Sequence, residues 1–153
     1  MNKIRFLTNI VIAHLPGIIG SYFTVPSIKI WYAHLNKPSF NPPNWIFSPV
    51  WLTLYTLIGI AFYYFHKKNQ FRTKKTYFLY GIHLFLNAIW SILFFKMHMI
   101  GAAALELIFM IVTLVLLMKI MNRESVLSAR LLVPYLVWIT FALVLNINIY
   151  LLN

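Results

Sequence analysis

The sequence has no cysteine, and its acids number only two, Glu106 and Glu124. Without cysteine there is no disulfide framework and no thiolate chemistry. With two isolated acids there are no paired carboxylates for general acid–base work. The five glycines are scattered, so neither a Gly-rich phosphate loop nor a nucleophile elbow is present. Hydrolytic and phosphoryl-transfer chemistry is therefore disfavoured. The histidines, at 14, 34, 66, 83 and 98, form no pair at helical spacing with another ligand type, which argues against a structural metal site. His83 has the chemistry to ligate haem iron, but a lone helical histidine is more often a hydrogen-bonded packing residue. Also missing are a Ser/Gly linker, a low-complexity tract and an internal repeat at fixed period. One domain, 1–153, is expected.

What the chain does contain is apolar length. It is 61% hydrophobic and 10% charged, with apolar residues in stretches near 20 long. That is a membrane composition. Five stretches, about 6–26, 45–65, 76–95, 99–119 and 131–152, are long enough to cross a hydrocarbon core of ~30 Å as helices. The expected fold is an all-α membrane protein, a bundle of five transmembrane helices. The first stretch follows Lys3 and Arg5 as a signal peptide would, but it is too long and lacks an A-x-A-like cleavage site, so it reads as retained.

The net charge of +11 raises nucleic acid as a partner, and the placement of the charge argues against it. Ten basic residues (Lys3, Arg5, Lys67, Lys68, Arg72, Lys74, Lys75, Lys119, Arg123 and Arg130) fall on one side of a five-span topology, and Lys29, Lys37 and Lys96 on the other. By the positive-inside bias this expects a multi-pass protein of the cell membrane, N-terminus cytoplasmic and C-terminus outside, with no nucleic-acid role.

Prolines 38, 42, 43 and 49 cluster at the entrance to the second span. Proline removes a backbone donor, so such a cluster belongs outside the core or at a helix start. Two starts fit: Ser48 as N-cap with Pro49 at the first helical position, or Asn44 with Pro49 as a kink. Trp31, Tyr32, Trp45 and Trp51 read equally as an interface belt or as part of a ligand lid.

Helical spacing picks out three faces: Phe47, Trp51 and Tyr55; His83, Asn87, Trp90 or Ser91, and Phe94; Tyr135, Trp138, Ala142 and Leu145. A large indole beside the small Ala142 leaves room between helices, the usual form of a site for a flat apolar ligand, although such stripes are also ordinary bundle packing. Asn87, Asn146 and Asn148 read as hydrogen-bonding glue between helices. Glu106, inside the fourth span, reads as paired with Lys96, proton-linked, or snorkelling to the nearby end.

The segments "WYAHLNKPSFNPPNWIFSPVWLTLYTLIGIAFY", "LNAIWSILFF" and "LLVPYLVWITFALVLNINIYLLN" resemble the tryptophan-rich sensory protein/translocator protein family, once called the peripheral benzodiazepine receptor family, over nearly the whole chain and its bacterial branch most. The resemblance implies five membrane helices, usually in a homodimer, around a pocket closed by the first loop. It implies porphyrin ligands such as protoporphyrin IX and haem, synthetic isoquinoline carboxamide or benzodiazepine-type drugs, and in some bacterial members light-dependent porphyrin degradation. It places Trp31, Tyr32, Pro42, Pro43 and Phe47 in a lid, and Trp51, Asn87, Trp138 and Ala142 in the pocket. Trp51 and Trp138 are then the candidate redox partners of a photo-oxidative reaction needing oxygen, with no obligatory cofactor. Two departures stand out. Tyr150 is followed by Leu151, Leu152 and Asn153, with no basic residue to complete a sterol motif, which argues against cholesterol recognition. Ser39-Phe40 replaces an aromatic pattern often written with Trp. A transporter of tetrapyrroles or other amphiphiles lacks support from inverted repeats, and Pro16-Gly17 has no counterpart in the fifth span. A membrane scaffold is a further reading.

Overall fold

The computed structural model describes residues 2–68 and 74–153. Among these residues six α-helices follow one another: α1 Lys3–Ile30, α2 Asn44–Lys68, α3 Lys74–Ser91, α4 Ile100–Glu124, α5 Val126–Leu131 and α6 Val133–Leu152. The expected fifth span is α5 and α6 together, Val126–Leu152, one of five segments long and apolar enough to cross a membrane. It breaks at Leu132, and Pro134 then occupies the first turn of α6, where a missing N–H costs nothing. Ser125 caps α5, its hydroxyl accepting from the Ser128 N–H at 3.3 Å.

Of the two possible starts for the second span, Asn44 is the one adopted, and Pro49 lies inside α2. Ser48 is therefore a helical residue and not an N-cap. Pro16 and Pro26 likewise lie inside α1, leaving the carbonyls of Ile12 and Tyr22 without their helical donors.

The helices close into a ring in which α1 lies between α2 and α3, α4 between α3 and α6, and α5 against α2. Close approach at α1 depends on glycine: a Cβ at Gly59 would sit 2.8 Å from the Ile10 Cα. One core, around Ile58, Phe62, Leu107, Met110, Leu114 and Tyr135, fills the half of the ring nearer the basic N-terminal end of α1. A second, of Tyr32, Phe94, Phe95, Ala103, Leu145 and Ile149, fills the half nearer the proline-rich loop. The outward faces carry large apolar side chains, with Leu7, Phe78, Phe85, Phe109 and Val137 all exposed. A hydrocarbon surround is the solvent such a surface requires.

After Ser91 the third span adds a π-helical turn, Ile92–Lys96, closed by Met97 N–H to the Ile92 carbonyl at 2.9 Å. The wider turn buries both Phe94 and Phe95, where a regular helix would turn one of them outward. Ser27 of α1 donates its hydroxyl to the Phe95 carbonyl at 2.7 Å. His98 then reverses the chain with φ of 56°.

Of the basic side expected from the sequence, Lys67, Lys74 and Lys75 are exposed. Arg72 and the Lys68 side chain lie outside the described residues. Asn148 corrects an expectation: its amide donates to Val144 of its own helix and does not bridge helices. The backbone carbonyl one turn earlier in α6 satisfies the amide locally, so no neighbour is needed.

Candidate ligand cavity

Between the two cores lies a cavity of about 430 Å³, within the roughly 300–1,000 Å³ usual for small-molecule sites. Tyr32, Phe47, Trp51, Tyr55, Asn87, Trp90, Ser91, Trp138, Ala142 and Leu145 all line it. The three faces picked out by spacing converge because α2, α3 and α6 each turn one stripe to the centre of the ring. Trp51 stacks on Tyr55 with ring centroids 5.2 Å apart, and Phe47 meets Trp138 edge-on at 6.0 Å.

Three other expected residues, Trp31, Pro42 and Pro43, do not line the cavity. Trp31 is stacked on His98 at 4.1 Å and meets Phe94 in a T-shaped contact at 5.3 Å. Pro42 and Pro43 form the stiff approach to α2, where the Pro43 carbonyl accepts from Ile46 N–H. Tyr32 ties loop to cavity: its ring is buried, and its hydroxyl donates to Asn41 Oδ1 at 2.7 Å. Burial pushes that phenol up to about 12, the Asn41 hydrogen bond pulling less strongly the other way. Lys37 lies over the same ring at 4.7 Å and donates to the Leu35 carbonyl. Trp45, by contrast, is exposed and fits the interface-belt reading.

A wall that the sequence reading passed over comes from α1. Gly17, Gly20, Ser21 and Thr24 line the cavity, at spacing i, i+3, i+4 and i+7. The signal was a stripe of small residues, which makes room where an aromatic would fill it. A Cβ at Gly17 would run into the Tyr55 ring. Ile18, Val25 and Leu52 line the cavity and are also exposed on the outside of the bundle, so it opens sideways between α1 and α2.

The polar end is a hydrogen-bond chain with a definite direction. Tyr55 donates to Asn87 Oδ1 at 2.8 Å, and Asn87 Nδ2 donates to the Tyr135 hydroxyl at 2.8 Å. His83 follows, with Nε2 3.1 Å from that hydroxyl and Nδ1 2.9 Å from Thr113 Oγ1. Thr113 spends its own proton on the Met110 carbonyl. It can therefore only accept from His83, which fixes Nδ1 as the protonated nitrogen and Nε2 as the acceptor for Tyr135. Both ring nitrogens are spent inside the core, so neither is turned to an iron in the cavity. Asn146 does bridge helices as expected, donating to the Ile100 carbonyl at 2.8 Å and accepting from Trp90 Nε1.

Glu106 is buried, and neither carboxylate oxygen has a hydrogen-bond partner among the described residues. It does not pair with Lys96, whose ammonium lies over the Phe23 ring at 4.9 Å. Nor does it snorkel: its position one turn before Met110 turns it to the inner face of α4.

The TspO/MBR family model matches residues 9–152. The chain is 41% identical to the Tryptophan-rich protein TspO of Archaeoglobus fulgidus, covering 100% of this chain and 99% of that one. It is 36% identical to the human Translocator protein over 84% of this chain and 78% of that one. Against Protein CrtK of Rhodobacter capsulatus it is 29% identical over 100% and 95% of the two. The chain is a multi-pass membrane protein and belongs to the TspO/MBR family.

Proposed function

We propose that this protein binds porphyrins, protoporphyrin IX or haem, in the cavity between α1, α2, α3 and α6, and acts as a tetrapyrrole sensor or regulator. The observation that carries the reading is the cavity itself: aromatic walls of Trp51, Phe47, Trp138 and Phe141 beside the hydrogen-bonded pair Tyr55 and Asn87. A flat macrocycle gains from ring stacking and apolar burial along such walls. In this reading a propionate at the outer edge meets Lys37, which lies over Tyr32 at the loop. The sideways opening gives an apolar ligand a path from the bilayer. Isoquinoline carboxamide and benzodiazepine-type drugs share the flat aromatic shape and compete for the same space. The basic ends of α1, α2 and α3 face the cytoplasm in this reading, and the loop and Asn153 the outside.

In the catalytic extension of the reading, light and oxygen degrade the bound porphyrin. The porphyrin supplies the light absorption, while the protein's own groups orient it and exclude water. Trp51 and Trp138 are among the oxidisable side chains that line the cavity, and this reading takes them as the redox partners of such a ligand. Titration of detergent-purified protein with protoporphyrin IX in the dark tests binding: saturable tryptophan quenching, weakened in a Trp51→Ala, Trp138→Ala variant, is expected. Quenching that never saturates, or that the double variant leaves unchanged, overturns the assignment. Illumination of the same sample then separates the two forms. Loss of the porphyrin band only when oxygen is present, and more slowly in Trp51→Phe, marks turnover; a stable band marks a binding protein.

A further inference from the structure

The chain of hydrogen bonds under the cavity contains an oxidisable phenol facing a neutral base. Tyr135 is fully buried, and its hydroxyl has one proton and two possible acceptors: His83 Nε2 at 3.1 Å and the Met110 thioether at 3.6 Å. An imidazole nitrogen is much the better acceptor. The Tyr135 ring also meets Trp51, which lines the cavity, edge-on at 6.2 Å. Indole, phenol and imidazole thus run in contact from cavity wall to core.

We propose that Tyr135 and His83 form an electron-and-proton relay beneath the cavity, refilling Trp51 when it is oxidised. Trp51 first loses one electron to an oxidant of the class of light-excited aromatic ligands, which gains that electron. One electron then passes from Tyr135 to the oxidised indole. The Tyr135 O–H bond breaks and its proton bonds to His83 Nε2. The products are a neutral indole, a neutral phenoxyl radical and an imidazolium. The new Nε2–H and the Asn87 amide both donate to the phenoxyl oxygen, and Thr113 still accepts from Nδ1, so no hydrogen bond in the chain is lost.

Tyr55 is the obvious competitor, since it stacks on Trp51 at 5.2 Å. Its hydroxyl, however, donates to the Asn87 carboxamide oxygen, which is not a base and cannot keep the proton. Oxidation of Tyr55 would leave its proton on the phenol cation, a far stronger acid than imidazolium, with no base to take it. Tyr135 alone has both the contact and the base. Among the described residues, Trp138 has neither phenol nor imidazole against its ring; its aromatic neighbours are Phe47 and Phe141.

The relay rests on reading Trp51 as a redox-active wall residue, but its test needs no porphyrin. Flash photoionisation of the ligand-free protein in detergent, with hexaamminecobalt(III) as irreversible electron acceptor, oxidises the indoles directly. Transient absorption should show an indole radical decaying into a tyrosyl radical, more slowly in deuterium oxide because a proton moves with the electron. Tyr135→Phe and Trp51→Phe should each lose the tyrosyl signal, and Tyr55→Phe should keep it. His83→Gln should lose both the signal and the isotope effect. Electron–nuclear double resonance on the wild-type radical needs no substitution: exchangeable hydrogen bonds to the phenoxyl oxygen from His83 and Asn87 are expected. A wild-type protein without a tyrosyl radical, or a radical lacking those hydrogen bonds, overturns the relay. A radical that survives in Tyr135→Phe or is unchanged in His83→Gln does the same. If the radical forms while the porphyrin titration fails, the relay stands and the ligand assignment falls.

Discussion

Asn36 and Asn153 hold each other by a reciprocal pair of hydrogen bonds: Asn36 N–H donates to Asn153 Oδ1 at 2.9 Å, and Asn153 Nδ2 donates to the Asn36 carbonyl at 2.9 Å. The first loop is thereby tied to the end of α6, the helix that supplies Trp138, Ala142 and Leu145 to the cavity. Exposed hydrogen bonds of this kind contribute about 0.5–1.5 kcal/mol each. Asn153→Ala should therefore leave the bundle folded but let the loop open more often. Porphyrin release followed by stopped-flow fluorescence should be about two- to tenfold faster. Unchanged release would show that the loop does not gate the cavity.

Gly17 governs the polar end from the opposite wall, because any Cβ there overlaps the Tyr55 ring. Gly17→Ala should push Tyr55 off its Trp51 stack and break its hydrogen bond to Asn87. Overpacking of this kind costs about 1–3 kcal/mol. A lowered thermal midpoint in detergent and weaker porphyrin quenching are expected together. Gly59→Ala should be worse for folding, since the conflict there is with the Ile10 backbone, which cannot rotate away as a ring can.

The five spans were legible because apolar length maps directly onto bilayer thickness, and no tertiary detail is needed to count them. Phe47, Trp51 and Tyr55 were legible as a cavity face because a helix repeats its faces every three to four residues. The α1 wall was not, because a search for large aromatics passes over Gly17, Gly20, Ser21 and Thr24. The π-turn at Ile92–Lys96 has no sequence period of its own, so the burial of both Phe94 and Phe95 could not be foreseen. Trp31, Pro42 and Pro43 stand beside the cavity in sequence, yet the stack of Trp31 on His98 depends on a turn 67 residues later in the chain. The direction of the Tyr55–Asn87–Tyr135–His83 chain required coordinates, since it rests on where Thr113 spends its proton.

Tyr32 gives a prediction in alkali. Burial holds its hydroxyl proton up to about 12, while an unfolded tyrosine loses it near pH 10. The folded protein therefore binds this proton more tightly than the unfolded chain. Its contribution to stability is complete below about pH 10 and is lost as pH rises toward the folded value. Denaturant unfolding across that window should fall less steeply with pH in Tyr32→Phe than in the wild type. Equal slopes would mean that the hydroxyl is not shielded in the folded loop.

Ala142 offers the sharpest separation of binding from folding. Its methyl faces the cavity across from α1 and α2, beside Trp138 on the same helix. A longer apolar side chain there would extend into open space and not into packed core, so the usual cost of overpacking is avoided. Ala142→Leu should fold with an unchanged or slightly higher thermal midpoint, because the added methylenes bury apolar surface at about 0.8 kcal/mol each. The same atoms occupy the place of a flat ligand, so saturable porphyrin quenching should weaken at least about tenfold, some 1.4 kcal/mol. Stable protein with undiminished binding would move the ligand out of this cavity. Loss of fold and binding together would show instead that the space between α1, α2 and α6 is narrower than its lining implies, and the smaller Ala142→Val would then decide between the two.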